Sequence, residues 1–362
     1  MNRRIPGLDG LRALSAVGVA LRHLGVLPIG WIGVQVFYVL SGFLITGILL
    51  SSKDEIASFS ERLKHFYARR SLRILPLYFA YLFFVFVASY LNSEFRDQRA
   101  LLWSLATYTY NIHRVLHPTD AFSLCTHLWS LSIEEQFYFG WPFIVFFMST
   151  KHFRIFAMTV VALSPLLRAT LVLTSHDPHL DAYFLTPYQL DGFAAGAVLS
   201  TLSISQLMVL RKPFAVVLAA AVACSLLWNA HILWFGLLWL MPNGHASWTW
   251  GYTLIDLLAA AMIIECICGA PLVSILEWTP LRYLGRISYG FYVWHAASII
   301  LFVHIFHRLR LISWLQPGGL LLMLGFLAFN TLISTLSFRL LERPSIVLKD
   351  RIFQKQPKTI LA

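Results

Sequence analysis

The first hydrophobic segment of the sequence contains two residues whose chemistry is unusual for such a segment, Arg12 and His23. They are eleven positions apart, which at about 100° per residue is roughly three turns of a helix plus 20°. Both side chains are therefore predicted on one face, about 16 Å apart along the axis. A histidine can take a proton from a hydroxyl, and an arginine can neutralise an anion. The alternative is that Arg12 extends toward the membrane surface and His23 bonds a neighbouring helix.

Two adjacent acids, Glu134 and Glu135, precede a later apolar run. Ser132 stands three residues before Glu135, a capping-box pattern that would explain one carboxylate structurally. The other carboxylate would lie at the edge of the hydrocarbon region. There it could orient or deprotonate a histidine, or accept the proton of a sugar hydroxyl.

Three arginines, Arg69, Arg70 and Arg73, precede another apolar run. Arg70 and Arg73 are three positions apart, which places them side by side at the start of a helix. Guanidinium groups bind phosphate in a fixed, two-pronged geometry, so a phosphorylated cytosolic ligand such as a nucleotide-based coenzyme would fit. Anchoring beside anionic lipid is the alternative.

Further polar residues stand inside apolar runs. Ser41 places a hydroxyl in the bilayer, and its neighbour Gly42 is typical of close helix packing. Tyr289 and His295 belong to an aromatic run, in which the histidine is either a second catalytic or substrate-binding group or a hydrogen-bonded core residue. The remaining polar residues of this kind are Arg168, Asp191 and Asp256.

No metal site is predicted. His113 and His117 are four positions apart with Asp120 nearby, but the spacing that a further ligand would need is absent. The four cysteines are scattered along the chain and indicate neither a disulfide framework nor a zinc site.

The composition is that of a polytopic membrane protein. Of the 362 residues, 58% are hydrophobic and 12% are charged, whereas about a quarter of a soluble protein is charged. Ten apolar runs are predicted to cross the membrane as helices, so the fold class is all-α. These runs are approximately residues 8–27, 31–50, 73–91, 133–149, 155–173, 186–206, 213–240, 249–268, 285–306 and 317–340.

The basic residues indicate how these helices are oriented. Most of the 28 lysines and arginines lie in segments on one side of the predicted spans, which predicts that both termini are cytoplasmic. The net charge of +11 therefore reflects topology and does not indicate nucleic acid. We predict one membrane-embedded domain over residues 1–345 and a basic cytoplasmic tail over residues 346–362. With no soluble catalytic domain expected, any chemistry falls to the helix bundle.

Together these segments resemble the acyltransferase-3 family of integral membrane acyltransferases, which modify bacterial surface and secreted carbohydrates. Besides Arg12 and His23, the matching segments are residues 8–13, 33–37, 40–46, 69–76, 128–138, 287–295 and 342–344. The resemblance implies about ten transmembrane helices in the bacterial cytoplasmic (inner) membrane. It also implies an acyl-CoA donor in the cytoplasm, most simply acetyl-CoA, and an acceptor sugar on the outer side.

The resemblance also implies roles for individual residues. Arg12 and His23 would form a catalytic pair, and Glu134 or Glu135 would act as acid or base. Neutral His23 would be the base or an acyl-accepting nucleophile, oriented by one of the two glutamates. Direct transfer and a relay through an acyl-histidine both remain open. The coenzyme phosphates would contact three arginines, Arg69, Arg70 and Arg73.

The expected function is O-acylation of a surface or secreted glycan, such as lipopolysaccharide, exopolysaccharide or a related glycolipid. Its expected partners are membrane lipid, a carbohydrate or lipid-linked glycan acceptor, and polysaccharide-assembly proteins. Three alternatives stay open: acylation of a non-sugar acceptor, transport or flipping of a glycolipid, and a binding role in a polysaccharide-export machine.

Overall fold

The computed structural model describes residues 5–56, 58–119, 122–228, 245–269, 273–308 and 319–353. Within these ranges the chain is helical and contains no β-strand. The α-helices are α1 Pro6–His23, α2 Ile32–Glu55, α3 Phe59–Leu91, α4 Gln98–Ala106, α5 Tyr110–Leu116, α6 Trp129–Phe147, α7 Thr150–Thr174, α8 Pro178–Phe184, α9 Leu190–Ser200, α10 Ile204–Trp228, α11 His245–Cys268, α12 Val273–Leu276, α13 Thr279–Arg286, α14 Ser288–Arg308, α15 Leu320–Ser337 and α16 Arg343–Phe353. Short 3-10 turns lie at Pro28–Trp31, Ser93–Phe95, Thr126–Leu128 and Thr186–Gln189, and a π-helical turn lies at Phe338–Glu342.

Six helical segments of the described chain are long and apolar enough to cross a membrane. They are Pro28–Glu55, Phe59–Leu91, Thr150–Thr174, Trp248–Cys268, Ser288–Arg308 and Leu320–Lys349. The protein is therefore an all-helical, multi-pass membrane protein. The total of about ten spans and the cytoplasmic position of both termini remain predictions. Part of the predicted span 213–240, from residue 229 on, lies outside the described residues, as do residues 354–362 of the predicted tail.

The basic segment before the third predicted span is helical. Helix α3 is 33 residues long and begins at Phe59, well before the predicted start of the span at Arg73. Such a helix is about 50 Å long. Lysine, arginine, glutamate and leucine all favour helix, so the helix continues beyond its apolar part. This extension carries the predicted phosphate-binding arginines on a rigid element instead of a loop.

The sixth predicted span, 186–206, is interrupted in the structure. It divides into a 3-10 turn, the 11-residue helix α9 and the start of α10 at Ile204. Helix α9 packs closely on α2 through glycines. A Cβ on Gly42 would lie 1.9 Å from the Phe193 carbonyl oxygen, and one on Gly196 would lie 1.9 Å from that of Val39. The packing role predicted for Gly42 is therefore confirmed.

Helix α1 is held at its N-terminal end by α12 and α13. A Cβ on Gly10 would lie 2.0 Å from the Leu276 carbonyl oxygen, and one on Gly285 would lie 1.9 Å from that of Asp9. Small residues at helix contacts allow close van der Waals packing, the main source of helix association in a bilayer. Because α1 is fixed in this way, Arg12 has a defined position in the bundle.

Candidate active site

A cavity of about 1000 Å³ lies between α1, α2, α3, α6, α14 and the C-terminal helix α16. It is lined by charged residues of both signs, which are Asp9, Arg12, Asp54, Glu55, Arg62, Arg69, Arg70, Arg73, Glu134, Glu135, Arg286, Glu342 and Lys349. The hydroxyl-bearing residues Ser41, Tyr138 and Tyr289 also line it. Most of the residues predicted from the sequence therefore meet in one place. Of the described residues with predicted roles, His23 and His295 are not part of this lining.

Three of the arginines that line the cavity are near enough for their charges to act on one another. Arg12 comes from α1, and Arg70 and Arg73 come from successive turns of α3; their charges interact. The guanidinium carbon of Arg70 lies 3.7 Å from the centroid of the Tyr138 ring, a stacking geometry that fixes the guanidinium plane. Its Nε is buried and has no hydrogen-bond partner among the described residues. Three neighbouring positive charges with an unused donor favour a bound anion.

The carboxylate of Glu134 is held by two hydroxyls. Ser41 Oγ donates to Glu134 Oε1 at 3.3 Å. The Tyr138 hydroxyl lies 3.0 Å from Glu134 Oε2 and 2.9 Å from Ser41 Oγ. The charges of Arg12 and Arg70 act on this carboxylate as well. Ser41 therefore has a polar role beside the packing role of its neighbour, since it connects α2 to the acid of α6.

The capping-box interpretation of Ser132 and Glu135 is wrong. Helix α6 begins at Trp129 and its N-cap is Leu128, because the preceding 3-10 turn leads directly into the helix. Ser132 lies inside the helix and donates to the Leu128 carbonyl at 3.4 Å. Glu135 therefore has no capping role, and both acids project from the first turns of α6 into the cavity.

A second cluster contains the histidines. His23 ends α1, and its Nδ1 lies 2.7 Å from Nε2 of His295. His295 is completely buried, and its ring centroid is 4.4 Å from that of His127. The sequence assigned no role to His127, whose Nε2 lies 3.0 Å from the Val293 carbonyl oxygen. The expectation that Glu134 or Glu135 orients His23 is not met in this structure, since the hydrogen bond of His23 goes to His295.

Tyr292 connects the two clusters. The residue lines the cavity, and its hydroxyl donates to the His127 carbonyl at 3.1 Å and lies within hydrogen-bond distance of Ser130. Its backbone carbonyl bonds to Nδ1 of His295. One turn of α14 therefore separates the cavity from the histidines. Tyr289 lies one turn before Tyr292 and ties α14 to α3 by donating to the Ile74 carbonyl at 3.1 Å.

The sequence also gave no role to Glu342, which was only part of a matching segment. Glu342 closes the π-helical turn, is 6% exposed and has an Oε1 atom without a hydrogen-bond partner among the described residues. A Cβ on Gly290 would lie 2.7 Å from this oxygen, so the Glu342 carboxylate lies directly against the backbone of α14. π-Helical turns are frequent at functional sites.

Arg168 and Asp191 form a separate cluster between α7, α9 and α11. Both side chains have 0% exposure, and Arg168 Nη2 lies 2.7 Å from Asp191 Oδ2. Arg168 donates further hydrogen bonds to Asp191 Oδ1, Thr253 Oγ1 and the carbonyls of Tyr188 and Thr249. All five N–H groups of the guanidinium are thus used within the protein.

No group of three metal-ligating side chains occurs among the described residues. The rings of His113 and His117 are 4.6 Å apart, and Asp120 lies outside the described residues. Partial burial, His117 and Arg114 lower the pKa of His113. A lower pKa favours the neutral ring, which is the form that binds a metal; the described residues supply no third ligand to this pair.

The sequence matches the family model described as an acyltransferase domain over residues 5–339. It is 30% identical over 363 residues to the peptidoglycan O-acetyltransferase OatA of Listeria monocytogenes, covering 94% of this chain and 55% of the relative. It is 31% identical over 322 residues to YrhL of Bacillus subtilis, provisionally named a peptidoglycan O-acetyltransferase, covering 83% of this chain and 49% of the relative.

The chain spans about half the length of the curated relatives that it matches. No solved structure matches it. The family match covers nearly the whole chain and agrees with the motifs noted in the sequence. The chain belongs to the acyltransferase-3 family.

Proposed function

We propose that the chain is a membrane O-acyltransferase that takes an acyl group, most simply acetyl, from acyl-CoA and passes it to a hydroxyl of a cell-surface glycan. The observation that carries this proposal is the cavity lined by Glu134 and by Arg12, Arg70 and Arg73, whose charges act on one another. Family membership and the names of the relatives support the reaction class.

The cavity has the features that an acyl-CoA needs. Coenzyme A carries phosphate groups, which suit the arginines of α3, and a long pantetheine arm, which suits apolar walls. Phe37 and Ile74 contribute such walls. The volume of about 1000 Å³ is at the upper end of the range for ligand sites, roughly 300–1,000 Å³. The proposed donor side is the cytoplasmic one, where acyl-CoA is made.

The transfer needs a base and a group that stabilises an oxyanion. We assign the base, or the acyl-accepting nucleophile, to His23. About 16 Å along α1 separates Arg12 from it, so we assign Arg12 to the negative charge of the donor. In direct transfer, the acceptor hydroxyl loses its proton to His23 while its oxygen bonds to the acyl carbon. The carbon–sulfur bond then breaks, and the thiolate leaves and is protonated. Tyr292, between the cavity and the histidines, marks the point where the thioester must arrive.

The acceptor is proposed from the relatives and from the position of His23. Two relatives are named for O-acetylation of peptidoglycan, so peptidoglycan stands beside lipopolysaccharide and exopolysaccharide as an acceptor of this chain. His23 is only partly buried, whereas His295 is completely buried. The accessible histidine would meet the glycan at the outer side of the cytoplasmic membrane.

The test is mass spectrometry of surface and secreted glycans from cells with and without this protein, together with acyl-CoA hydrolysis or transfer by the purified protein. A glycan mass difference of one acyl group, lost in His23→Ala, supports the proposal. Wild-type acylation by His23→Ala would remove the role of His23. Glycolipid movement without consumption of acyl-CoA would instead identify a transporter, and acylation of a non-sugar acceptor would correct the substrate.

A further inference from the structure

The hydrogen bond between His23 and His295 assigns different roles to the two nitrogens of His23. We propose that His295 is a positioning residue that holds the hydrogen of neutral His23 on Nδ1 and so leaves Nε2 as the reactive nitrogen. This inference deepens the proposed function and rests on it, because it names the atom of His23 that acts in acyl transfer. The resemblance implied an orienting glutamate for His23, whereas the structure places His295 beside it.

The backbone of α14 fixes the tautomer of His295. Its Nδ1 lies within hydrogen-bond distance of the Tyr292 carbonyl oxygen, three residues earlier in the same helix. A carbonyl oxygen can only accept, so Nδ1 of His295 carries a hydrogen. A neutral imidazole has a single N–H group, and Nε2 of His295 is therefore left with a lone pair.

That lone pair faces His23. Nε2 of His295 is 2.7 Å from Nδ1 of His23. The two ring planes are within 5° of each other, with their centroids 5.0 Å apart. Rings stacked face to face could not bring these two nitrogens so close together. The two imidazole rings therefore meet edge to edge in nearly one plane. Since N–H bonds and lone pairs of imidazole lie in the ring plane, this geometry suits donation from His23 to His295.

The reverse donation would need a second proton on His295. That would place a cation in a completely buried position between two other histidines, which is costly. His127 does not compete for the contact, because its Nε2–H is used by the Val293 carbonyl. His127 lies in the 3-10 turn, outside the spanning helices, where burial and the nearby His23 lower its pKa to about 3. It therefore stays neutral.

With its Nδ1–H engaged, His23 presents Nε2 as its free lone pair. In direct transfer, Nε2 takes the hydroxyl proton as the oxygen–carbon bond forms, and returns it to the departing thiolate. In the relay, Nε2 bonds to the acyl carbon and the thiolate leaves and is protonated by solvent. The acyl group then passes to the hydroxyl oxygen, whose proton is released. In both, the positive charge that develops on His23 is shared with His295 through the same hydrogen bond.

The test is ¹⁵N NMR of the imidazole nitrogens of the purified full chain in detergent, combined with a rate measurement for acyl transfer from acetyl-CoA. The variants are His295→Leu, His295→Gln and the control His304→Gln, which changes an exposed histidine of the same helix. In the wild type, we expect the hydrogen of His23 on Nδ1. His295→Leu should move it toward Nε2 and reduce the rate on the order of 100-fold, the scale of general-base catalysis, without changing KM for acetyl-CoA.

His295→Gln should keep the Nδ1 hydrogen, because its side-chain oxygen can accept it, and should retain more activity than His295→Leu. His304→Gln should match the wild type in both readouts. A wild-type His23 with its hydrogen on Nε2 would overturn the proposal, as would an unchanged tautomer in both His295 variants. Thermal unfolding identifies variants that fail to fold, and the tautomer of His23 in the wild type decides the question where His295→Leu does not fold. If His23 carries its hydrogen on Nδ1 but the protein transfers no acyl group, the positioning role of His295 stands and the proposed function is wrong.

Discussion

Two arginine clusters lie inside the bundle, Arg168 with Asp191 and the arginines of the cavity. Every N–H group of Arg168 has an acceptor within the protein, and its side chain has 0% exposure. Arg70 is instead oriented by an aromatic ring, and its charge acts on two other arginines. Its Nε–H has no acceptor among the described residues. The hydrogen bonds of Arg168 are complete without a ligand, whereas we propose that an anion completes those of the cavity arginines. The difference separates a structural site from a binding site.

The largest effect is expected at the structural site. Arg168→Met would leave the Asp191 carboxylate buried without its partner, which typically costs about 3–5 kcal/mol. We expect a strongly lowered midpoint in thermal unfolding of the purified protein. The double variant Arg168→Met/Asp191→Leu should recover part of the loss, since it removes the Asp191 carboxylate together with its partner. An Arg168→Met protein with wild-type stability and weakened acyl-CoA binding would place Arg168 with the cavity arginines.

A packing change next to the cavity should also act on stability. A Cβ on Gly42 would lie 1.9 Å from the Phe193 carbonyl oxygen, so Gly42→Ala must push α9 away from α2. Overpacking of this kind costs about 1–3 kcal/mol. Thermal unfolding should show the loss, with Gly47→Ala on the same helix as the control, because the nearest atom to its Cβ position is 4.0 Å away. Equal stability of the two variants would contradict the close contact.

The cavity arginines should discriminate between donors by their phosphates. An acetyl-CoA without its 3′-phosphate loses a charge-assisted hydrogen bond of about 1.5 kcal/mol, which is roughly a tenfold rise in KM. The ratio of KM for the donor without the 3′-phosphate to KM for acetyl-CoA should be smaller in at least one of the variants Arg69→Gln, Arg70→Gln and Arg73→Gln. Arg96→Gln, an exposed arginine outside the cavity lining, should keep it. An unchanged KM ratio in all three cavity variants would mean that the 3′-phosphate does not contact these arginines.

The smallest effect is expected for the hydroxyl that holds Glu134. Ser41→Ala removes the hydrogen bond to Glu134 Oε1, a contribution of about 1 kcal/mol, or roughly fivefold in kcat. Stability should change little. Ser15→Ala is a suitable control, because the Ser15 hydroxyl bonds only to the Leu11 carbonyl of its own helix. A kcat of Ser41→Ala equal to that of this control would mean that the Ser41 hydroxyl does not contribute to catalysis.

Regular helical periodicity explains why much of the site was predicted from the sequence. The spacing of Arg12 and His23 places them at two ends of one face, and the structure puts one in the cavity and the other in the histidine cluster. The same periodicity places Arg70 and Arg73 together on α3. The sequence does not distinguish Arg168 from the cavity arginines, however. Whether the N–H groups of a guanidinium have hydrogen-bond acceptors depends on contacts with other helices.

Features that the sequence did not predict lie in irregular elements or depend on distant contacts. His127 lies in a 3-10 turn, and its partner Val293 is 166 positions away. Glu342 is turned into the cavity by a π-helical turn, which hydrophobic periodicity does not indicate. The capping-box interpretation is wrong because the 3-10 turn moves the start of α6 to Trp129. The prediction of one continuous span over residues 186–206 is wrong, because an apolar run does not show where a helix breaks.

The central claim is that the cavity arginines bind the acyl donor, and direct binding of coenzyme A to the purified protein tests it. Calorimetry on the wild type, Arg70→Gln and Arg96→Gln gives the comparison, with thermal unfolding to verify that each protein is folded. The account predicts saturable binding by the wild type and by Arg96→Gln, and at least roughly tenfold weaker binding by Arg70→Gln, the loss of one charge-assisted contact. Equal affinity of Arg70→Gln and the wild type, or no binding by a folded wild type, would contradict it.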